Sequence, residues 1–483
     1  MSLCDKFLTS LGEADPIATL REGQIGNGLL LEGRNGTVPL LYADYVASGR
    51  ALSQIESFIA SDVLPFYGNS HTEASLCGRM MTRMREEARA IIAAHVKAAA
   101  DCHVIFAGGG ATAGLNRITR LLRLSERVAA GERIVVIIGP YEHHSNILPW
   151  RETGATICEI PEAETGGPDL AILEAALVGN RHADLVIGSF SAASNVTGIV
   201  TDPDPVTRLL KRYEALAIWD YAAGAPYLEM DMCSGTDCAK DAIVYSSHKF
   251  PGGPGASGIM VVRDNLVRTQ VPTAPGGGSV AFVSPWKHRY SSRVEAREEA
   301  GTPNVIGDIR AALVILLKDW IGTNRIVARE TELRSRALDA WRDVKGLRLL
   351  GQRKRAEALP IFSFVVHDAH GPVHHQLFTR LLSDVYGIQA RGGCACAGPY
   401  AHRLLEIDEE GSQEVMDLID HGEEDRRPGW VRLNLGYLLS DEEADRIIES
   451  VRELVGTARS WEAAYSLDRR TARFAPLQED ILA

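Results

Sequence analysis

The chain has 483 residues, 45% hydrophobic and 24% charged, which is too long for one simple core, so two domains are expected and three would still fit. A formal charge of -12 and a pI near 5.7 argue against nucleic acid or an anionic membrane as main partner, since both need clustered Lys and Arg. No run reaches the ~18–20 apolar residues of a membrane span. The opening MSLCDKFLTSLGEADP carries acids where a secretion signal would carry a basic end and an apolar stretch, so the expected compartment is the cytoplasm. The 8 cysteines are scattered, and in a reducing compartment they are expected to stay thiols, most of them as small core residues.

In chain order, residues 1–60 fit no clean pattern and are expected to pack on the C-terminal domain. RMREEARAIIAAHV (83–96) reads as a helix and CHVIFAG (102–108) as a buried strand ending in glycines. LNRITRLLRL (115–124) is helical, RIVVIIG (133–139) a strand, DLAILEAALV (169–178) a helix and DLVIGSF (184–190) a strand. PVTRLLKRYEA (205–215) is a helix; LAIWD (216–220), AIVYSS (242–247) and GIMVV (258–262) are strands. Continuously apolar strands alternating with helices predict an α/β domain with a mostly parallel sheet covered on both faces. Functional residues of such sheets gather at the carboxyl ends of the strands. The large domain is assigned to 61–310. Beyond it lie a long helical stretch (306–344), the strand LPIFSFVVHD (359–368), the helix HHQLFTRLLSDVYG (374–387), the strand WVRLNLGYL (430–438) and a closing helix. These make 311–483 a smaller αβ domain.

The most informative stretch is YSSHKFPGGPGASGIMVV (245–262), in which a lysine follows a strand and precedes a glycine-rich turn. A solvated loop lysine is the plain reading. A lysine at a strand end can also form a Schiff base with an aldehyde, of which pyridoxal phosphate is the usual one. That cofactor needs a carboxylate at its pyridine nitrogen, a phosphate cradle and a group on its ring face. Asp220, closing LAIWD, is the candidate carboxylate, although a turn or helix-cap aspartate reads equally well. AGGGATAGLN (107–116), at a strand end and a helix start, is the candidate cradle, with Ala111 and the Thr112 hydroxyl in it. A dinucleotide turn also passes loosely, without a convincing ribose acid downstream. The His143–His144 pair in YEHHSNILPW (141–150) supplies a ring-face candidate, and SNVTG (194–198) brings Asn195 to a fourth strand end.

Five such motifs in order make the sequence resemble the class V aminotransferase-fold enzymes that use pyridoxal 5'-phosphate, and within them the cysteine desulfurases and selenocysteine lyases. The markers run from LLYADYVASGR (40–50) through EHHSNILPW, SNVTG, AIWD, SSHK, EAGTPN (299–304) and RGGCAC to VRLNLG (431–436). The resemblance implies the fold-type I architecture, a large cofactor domain with a mostly parallel seven-stranded sheet plus a smaller C-terminal αβ domain. It implies Lys249 as the Schiff-base lysine, Asp220 at the pyridine nitrogen, and His143 stacked on the ring as an acid or base. Thr112, Ser246 and His248 would hold the phosphate. Thr302 would reach the phosphate of a neighbouring subunit, so the assembly would be a homodimer with shared sites. Asn195 would lie near the cofactor and substrate, and Arg432, with Arg391 nearby, would bind the carboxylate of a small amino-acid substrate. The implied reaction removes sulfur from L-cysteine, leaving L-alanine and a persulfide on an enzyme thiol, with a sulfur-acceptor protein as a further partner.

RGGCACAGPY (391–400) stands where that thiol would be, and alignment on Arg391 and the Cys-Ala pair selects Cys396. A metal clip with His402 or His421 lacks a second ligand pair, a disulfide across one residue would be strained, and a core role for both thiols stays open. No metal is expected. Arg391 could lower a thiol's pKa. Three features depart from the family pattern. Ala223 replaces the glutamine three residues after the pyridine aspartate, Cys394 is an extra thiol, and an acidic run (407–430) reads as a solvated helical insertion. They keep open another reaction on the same fold (a C–S lyase, epimerase, decarboxylase or aminotransferase). A sulfur-storing scaffold without catalysis would have no need of Lys249, Asp220 and His143.

Overall fold

The computed structural model describes residues 2–70, 72–351 and 356–477. The chain forms two units. The first comprises the residues up to Gly23, Ser48–Ala193 and Val200–Asn324; the second comprises Gln24–Ala47, Ser194–Ile199 and the chain from Arg325 onward. The 1–60 stretch is thus divided between them, with helices Leu3–Leu11 and Pro16–Glu22 in the first and the hairpin of Leu30–Gly33 with Gly36–Pro39 in the second. Among the described residues no helix is long and apolar enough to cross a membrane.

The first unit is built on a seven-stranded sheet. Its strands are β1 (Cys102–Gly108), β2 (Ile134–Ile138), β3 (Thr156–Glu159), β4 (Leu185–Ser191), β5 (Leu216–Asp220), β6 (Ala242–Ser246) and β7 (Gly258–Arg263). The spatial order is β1-β7-β6-β5-β4-β2-β3. β2, β5 and β6 are buried along their whole length, which explains their unbroken apolar sequences. Residues along one face, including Val136, Ile138, Ile218, Val244 and Met260, pack with Leu115, Ile118 and Trp150 in one core.

Four pairings are parallel, whereas β7 runs antiparallel to both β1 and β6. The short segment 247–257 between β6 and β7 cannot hold the crossover helix that a parallel return would need, so the strand comes straight back. The turn brings backbone against backbone. A side chain at Gly258 would collide with the main chain of Gly110, the first residue of helix α2 (Gly110–Leu121).

Beneath this sheet the segment leading out of EAGTPN is fixed by charge. Glu299 accepts Arg89 Nη1 (2.8 Å) and Nη2 (2.9 Å) together with the N–H of Phe106 (2.8 Å). Arg85 ties Glu299 to Asp308, its Nε lying 2.6 Å from Asp308 Oδ2. α1 (Leu76–His95, preceding α2 in the chain) carries the two arginines and α3 (Val305–Ile321) carries Asp308.

The second unit has an antiparallel sheet ordered β8 (Leu347–Leu349), β9 (Ile361–Asp368), β12 (Trp430–Asn434), β11 (Arg391–Gly393), with β10 (Gly371–Val373) paired to β9. Helices α4 (Thr323–Trp341), α5 (His375–Tyr386) and α8 (Asp441–Thr457) add Leu333, Trp341, Phe378, Leu381, Ile447 and Leu454 to one core with Phe362 and Phe364. Helix α6 (Gly398–Leu405) follows the cysteine loop. The acidic run contains α7 (Glu409–Asp420), which buries no residue, as a solvated face requires.

Arg89→Met should lower unfolding free energy by about 3 kcal/mol, because it leaves the Glu299 carboxylate buried with a missing partner. Urea denaturation of the two proteins tests this. A change under about 0.5 kcal/mol, as for an ordinary surface site, would show that the pair is dispensable.

Candidate active site

The register of the first sheet aligns its functional ends. Ser191 at the end of β4 pairs with Asp220 at the end of β5, and Ser246 at the end of β6 pairs with Gly258, itself opposite Gly108. Asp220, the candidate ring carboxylate, is 3% exposed, and the backbone N–H of Ala222 donates to its Oδ1 at 2.7 Å. Burial raises its pKa, opposed by the Ala222 N–H and by the positive charge of nearby Lys249. A buried carboxylate supported by one amide and a neighbouring lysine suits a cationic N–H partner. Lys249 ends the single 3-10 turn Ser247–Lys249 that follows β6.

Ser246 is buried, and its Oγ accepts the N–H of Ala111 (2.9 Å) in the first turn of α2. No side chain caps this helix at Gly109. Gly110 has φ +70°, and a Cβ there would lie 2.7 Å from Ser246 Oγ and 3.1 Å from His248 Cε1. An uncapped helix N-terminus flanked by Ser246 and His248, with glycine keeping the space clear, fits a phosphate. Burial and the charge of Lys249 lower the pKa of His248, favouring the neutral ring. Ser247 Oγ is buried without a hydrogen-bond partner among the described residues. Thr302 is exposed.

Thr112 and His143 are joined through a residue the sequence did not single out. Thr112 Oγ1 lies 2.7 Å from Ser145 Oγ, which lies 3.0 Å from His143 Nδ1. The backbone N–H of Ser145 donates to the same Nδ1 (3.1 Å), so in the neutral ring the proton sits on Nε2. Glu142, immediately before the histidine pair, is a second such residue. It is fully buried and accepts from Ser191 N (2.9 Å), Ser191 Oγ (2.6 Å) and Asn146 Nδ2 (2.6 Å). Burial pushes its carboxyl up to about 7 despite those donors, and the charge of Asp220 adds to the rise. An acid beside two histidines was the signal available in the sequence.

Asn195, Arg391, Cys394, Cys396 and Arg432 belong to the second unit. Arg391 on β11 and Arg432 on β12 are direct cross-strand partners, an arrangement that repulsion disfavours. Asp44 resolves it. Its Oδ1 accepts Arg432 Nη2 (3.0 Å) and its Oδ2 accepts Arg391 Nε (3.0 Å). Arg432 Nη1 also donates to the carbonyl of Asn195 (3.1 Å), while its Nε is buried with no partner among the described residues. That orphaned donor can take a carboxylate. Burial lowers the Arg432 pKa, and Asp44 opposes the shift. Asn195 Nδ2 holds the carbonyl of Ala395, between the two cysteines, at 2.8 Å. Cys396 is exposed and Cys394 half-buried, and both are free thiols. Asp44 lay within LLYADYVASGR, but nothing in sequence marked it as the partner of two arginines almost the whole chain away.

The sheet order, the lysine turn and the buried strand-end carboxylate define an enzyme of the fold-type I class. The chain belongs to the Aminotransferase class-V family, whose family model matches residues 41–446. It is 28% identical over 373 residues to a probable cysteine desulfurase of Halalkalibacterium halodurans, covering 76% of this chain and 86% of that one. It is 27% identical over 424 residues to a probable cysteine desulfurase of Vibrio cholerae, covering 86% and 94%. The apo structure of the cysteine desulfurase from Thermococcus onnurineus superposes with a TM-score of 0.71 at 24% identity, covering 86% of this chain and 95% of that one, a likeness of fold.

The raised carboxyl of Glu142 makes a pH prediction. At low pH both folded and unfolded chains carry its proton. As pH rises past the ordinary carboxylate range the unfolded chain releases it first, so stability falls until the pH passes about 7. Glu142→Gln should remove this slope. Relative to wild type it should gain up to about 3 kcal/mol between about pH 5 and about pH 8, read by urea denaturation as a pH-dependent difference rather than a constant offset.

Proposed function

We propose that the enzyme uses pyridoxal 5'-phosphate to remove sulfur from L-cysteine, releasing L-alanine and leaving a persulfide on Cys396. The Asn195 bridge, whose carbonyl accepts Arg432 Nη1 (3.1 Å) and whose amide holds the carbonyl of Ala395 next to the exposed Cys396 (2.8 Å), carries this reading beyond the family. The cofactor, when bound, supplies an electron sink for the bonds around the substrate's α-carbon.

The chain's own residues divide the remaining work. The N-terminus of α2, with Ala111, Thr112, Ser246 and His248, binds the phosphate. Asp220 would pair with the cofactor's ring nitrogen and favour its protonated form, and His143, oriented by Ser145, would lie against the ring as an acid or base. Lys249 holds the cofactor and moves protons at the substrate carbon. Arg432 takes the substrate carboxylate through Nε, with Asp44 fixing the guanidinium and Arg391 adding positive charge. Asn195 orients the substrate and anchors the loop at Ala395. The Cys396 thiolate would attack the substrate sulfur, forming an S–S bond as the substrate's Cβ–S bond breaks; the carbon keeps that electron pair and takes a proton to become alanine, and the outer sulfur passes on to an acceptor thiol. Exposed Thr302 reaches the phosphate of a second copy in a homodimer.

A second reading rests on Ala223, which is buried and has only a methyl where the family places a donor. It is a C–S lyase, giving pyruvate and ammonia instead of alanine.

Purified protein should be yellow, and Lys249→Ala should abolish the visible absorption band. With L-cysteine and a reductant it should release alanine and sulfide. Cys396→Ala should cut that release by roughly a thousandfold or more with the absorption intact. Pyruvate as product would replace this reading with the lyase. Loss of turnover in Cys394→Ala, with Cys396→Ala active, would move the nucleophile to Cys394.

A further inference from the structure

Between β5 and β6 the chain makes the loop DMCSGTDCAKD (231–241), to which the reaction above gives no task. Two of the cysteines expected to be scattered core thiols meet here. Cys233 Sγ, Cys238 Sγ and a carboxylate oxygen of Asp204 all lie within 4.8 Å of one another. Asp204 sits in the first turn of helix Pro203–Arg212, across from the loop. The spacing is Cys-x4-Cys, inside the range of structural zinc sites.

The loop is fixed in the shape that brings the sulfurs together. Cys233 has φ +47° and Gly235 φ +78°. Thr236 Oγ1 donates to the carbonyl of Cys233 (2.7 Å) and accepts the N–H of Cys238 (3.3 Å). A β-carbon residue held in the left-handed region costs roughly 1–2 kcal/mol, which the surrounding bonds must offset.

Lys240 completes the cluster. It is 1% exposed, and its Nζ donates to Asp204 Oδ1 (3.0 Å) and Cys233 Sγ (3.1 Å). The cluster therefore already draws a buried cation. With both thiols ionised, two thiolates and one carboxylate balance one divalent metal and the Lys240 ammonium. Asp204 is 45% exposed on its side chain, which leaves an entry path.

We propose that Cys233, Cys238 and Asp204 form a binding site for a thiophilic divalent cation of the zinc class, with water in the fourth position and Lys240 as outer hydrogen-bond donor. Thiolate donors select such a metal over magnesium or calcium. Binding displaces both thiol protons into solvent and changes no oxidation state. The site is independent of the proposed desulfurase reaction.

Cobalt(II) titration of the untagged, cofactor-loaded enzyme, kept reduced with a phosphine, tests it. One equivalent should give thiolate-to-cobalt charge-transfer absorption, and affinity should rise with pH. Cys233→Ser and Cys238→Ser should each abolish that absorption. Lys240→Gln should weaken binding roughly ten- to a hundredfold. The Cys394→Ser, Cys396→Ser double variant should keep the signal. No charge-transfer band in wild type, or a band that survives both Cys233→Ser and Cys238→Ser, overturns the site. Should Cys238→Ser fail to fold, Asp204→Asn still decides, since that side chain is half exposed. Unchanged cobalt affinity in it overturns the proposal, and a loss supports it.

Discussion

The level ends of β1, β4, β5 and β6 are the constraint on which the first unit's site depends. Strand side chains alternate faces, so a one-residue slip between β4 and β5 would turn Asp220 away from the face it now serves. The register is held by packing, since β5 and β6 are buried throughout and each apolar side chain fits only one side of the sheet. With that register fixed, Ser246 reaches the first N–H groups of α2, and the charge of Lys249 bears on Asp220. The antiparallel return of β7 between β6 and β1 lets Gly258 pass against Gly110 and seats the helix start beside Ser246.

Both units solve one electrostatic problem in the same way. Two arginines that would repel each other share a carboxylate. Glu299 serves Arg85 and Arg89, and Asp44 serves Arg391 and Arg432. In the first unit Asp308 also pairs with Arg85, matching two acids to two arginines, whereas in the second the one carboxylate of Asp44 faces both arginines. In the first unit these groups serve structure, and Arg89 also donates to the carbonyl of Val104. In the second, the buried Nε of Arg432 is left over, and a left-over buried donor is what a ligand carboxylate needs.

Much of this was legible in the sequence where a single local rule decides. Unbroken apolar runs announced β2, β5 and β6, and glycines after CHVIF announced the start of α2. The direction of β7 required weighing the length of the connection against the prior for parallel strands. The partners were harder. Asp44 and Arg432 are 388 residues apart, and an aspartate in LLYAD carries no local mark of the arginine it will meet. Ser145, directly after the histidine pair, carries no mark in the sequence, yet its position fixes the His143 tautomer. Cys233 and Cys238 read as scattered because their third neighbour, Asp204, comes from a helix earlier in the chain, and only folding brings it across.

The cysteine loop shows most clearly how strain and function meet in this chain. After Gly393, at φ +127°, Ala395 and Cys396 both adopt left-handed backbone, at φ +51° and +54°. Two such residues in succession cost roughly 2–4 kcal/mol together, an expense that glycine would have avoided. The conformation is held by few bonds, chiefly Asn195 Nδ2 on the carbonyl of Ala395 and a 3.3 Å turn bond from the N–H of Ala397 to Cys394. A loop strained at rest and tethered mainly through one side-chain amide has little to lose by moving, since any step toward ordinary backbone angles recovers energy. Asn195 is then the tether of the loop, and any group that competes for its amide would loosen the segment on which Cys396 is carried.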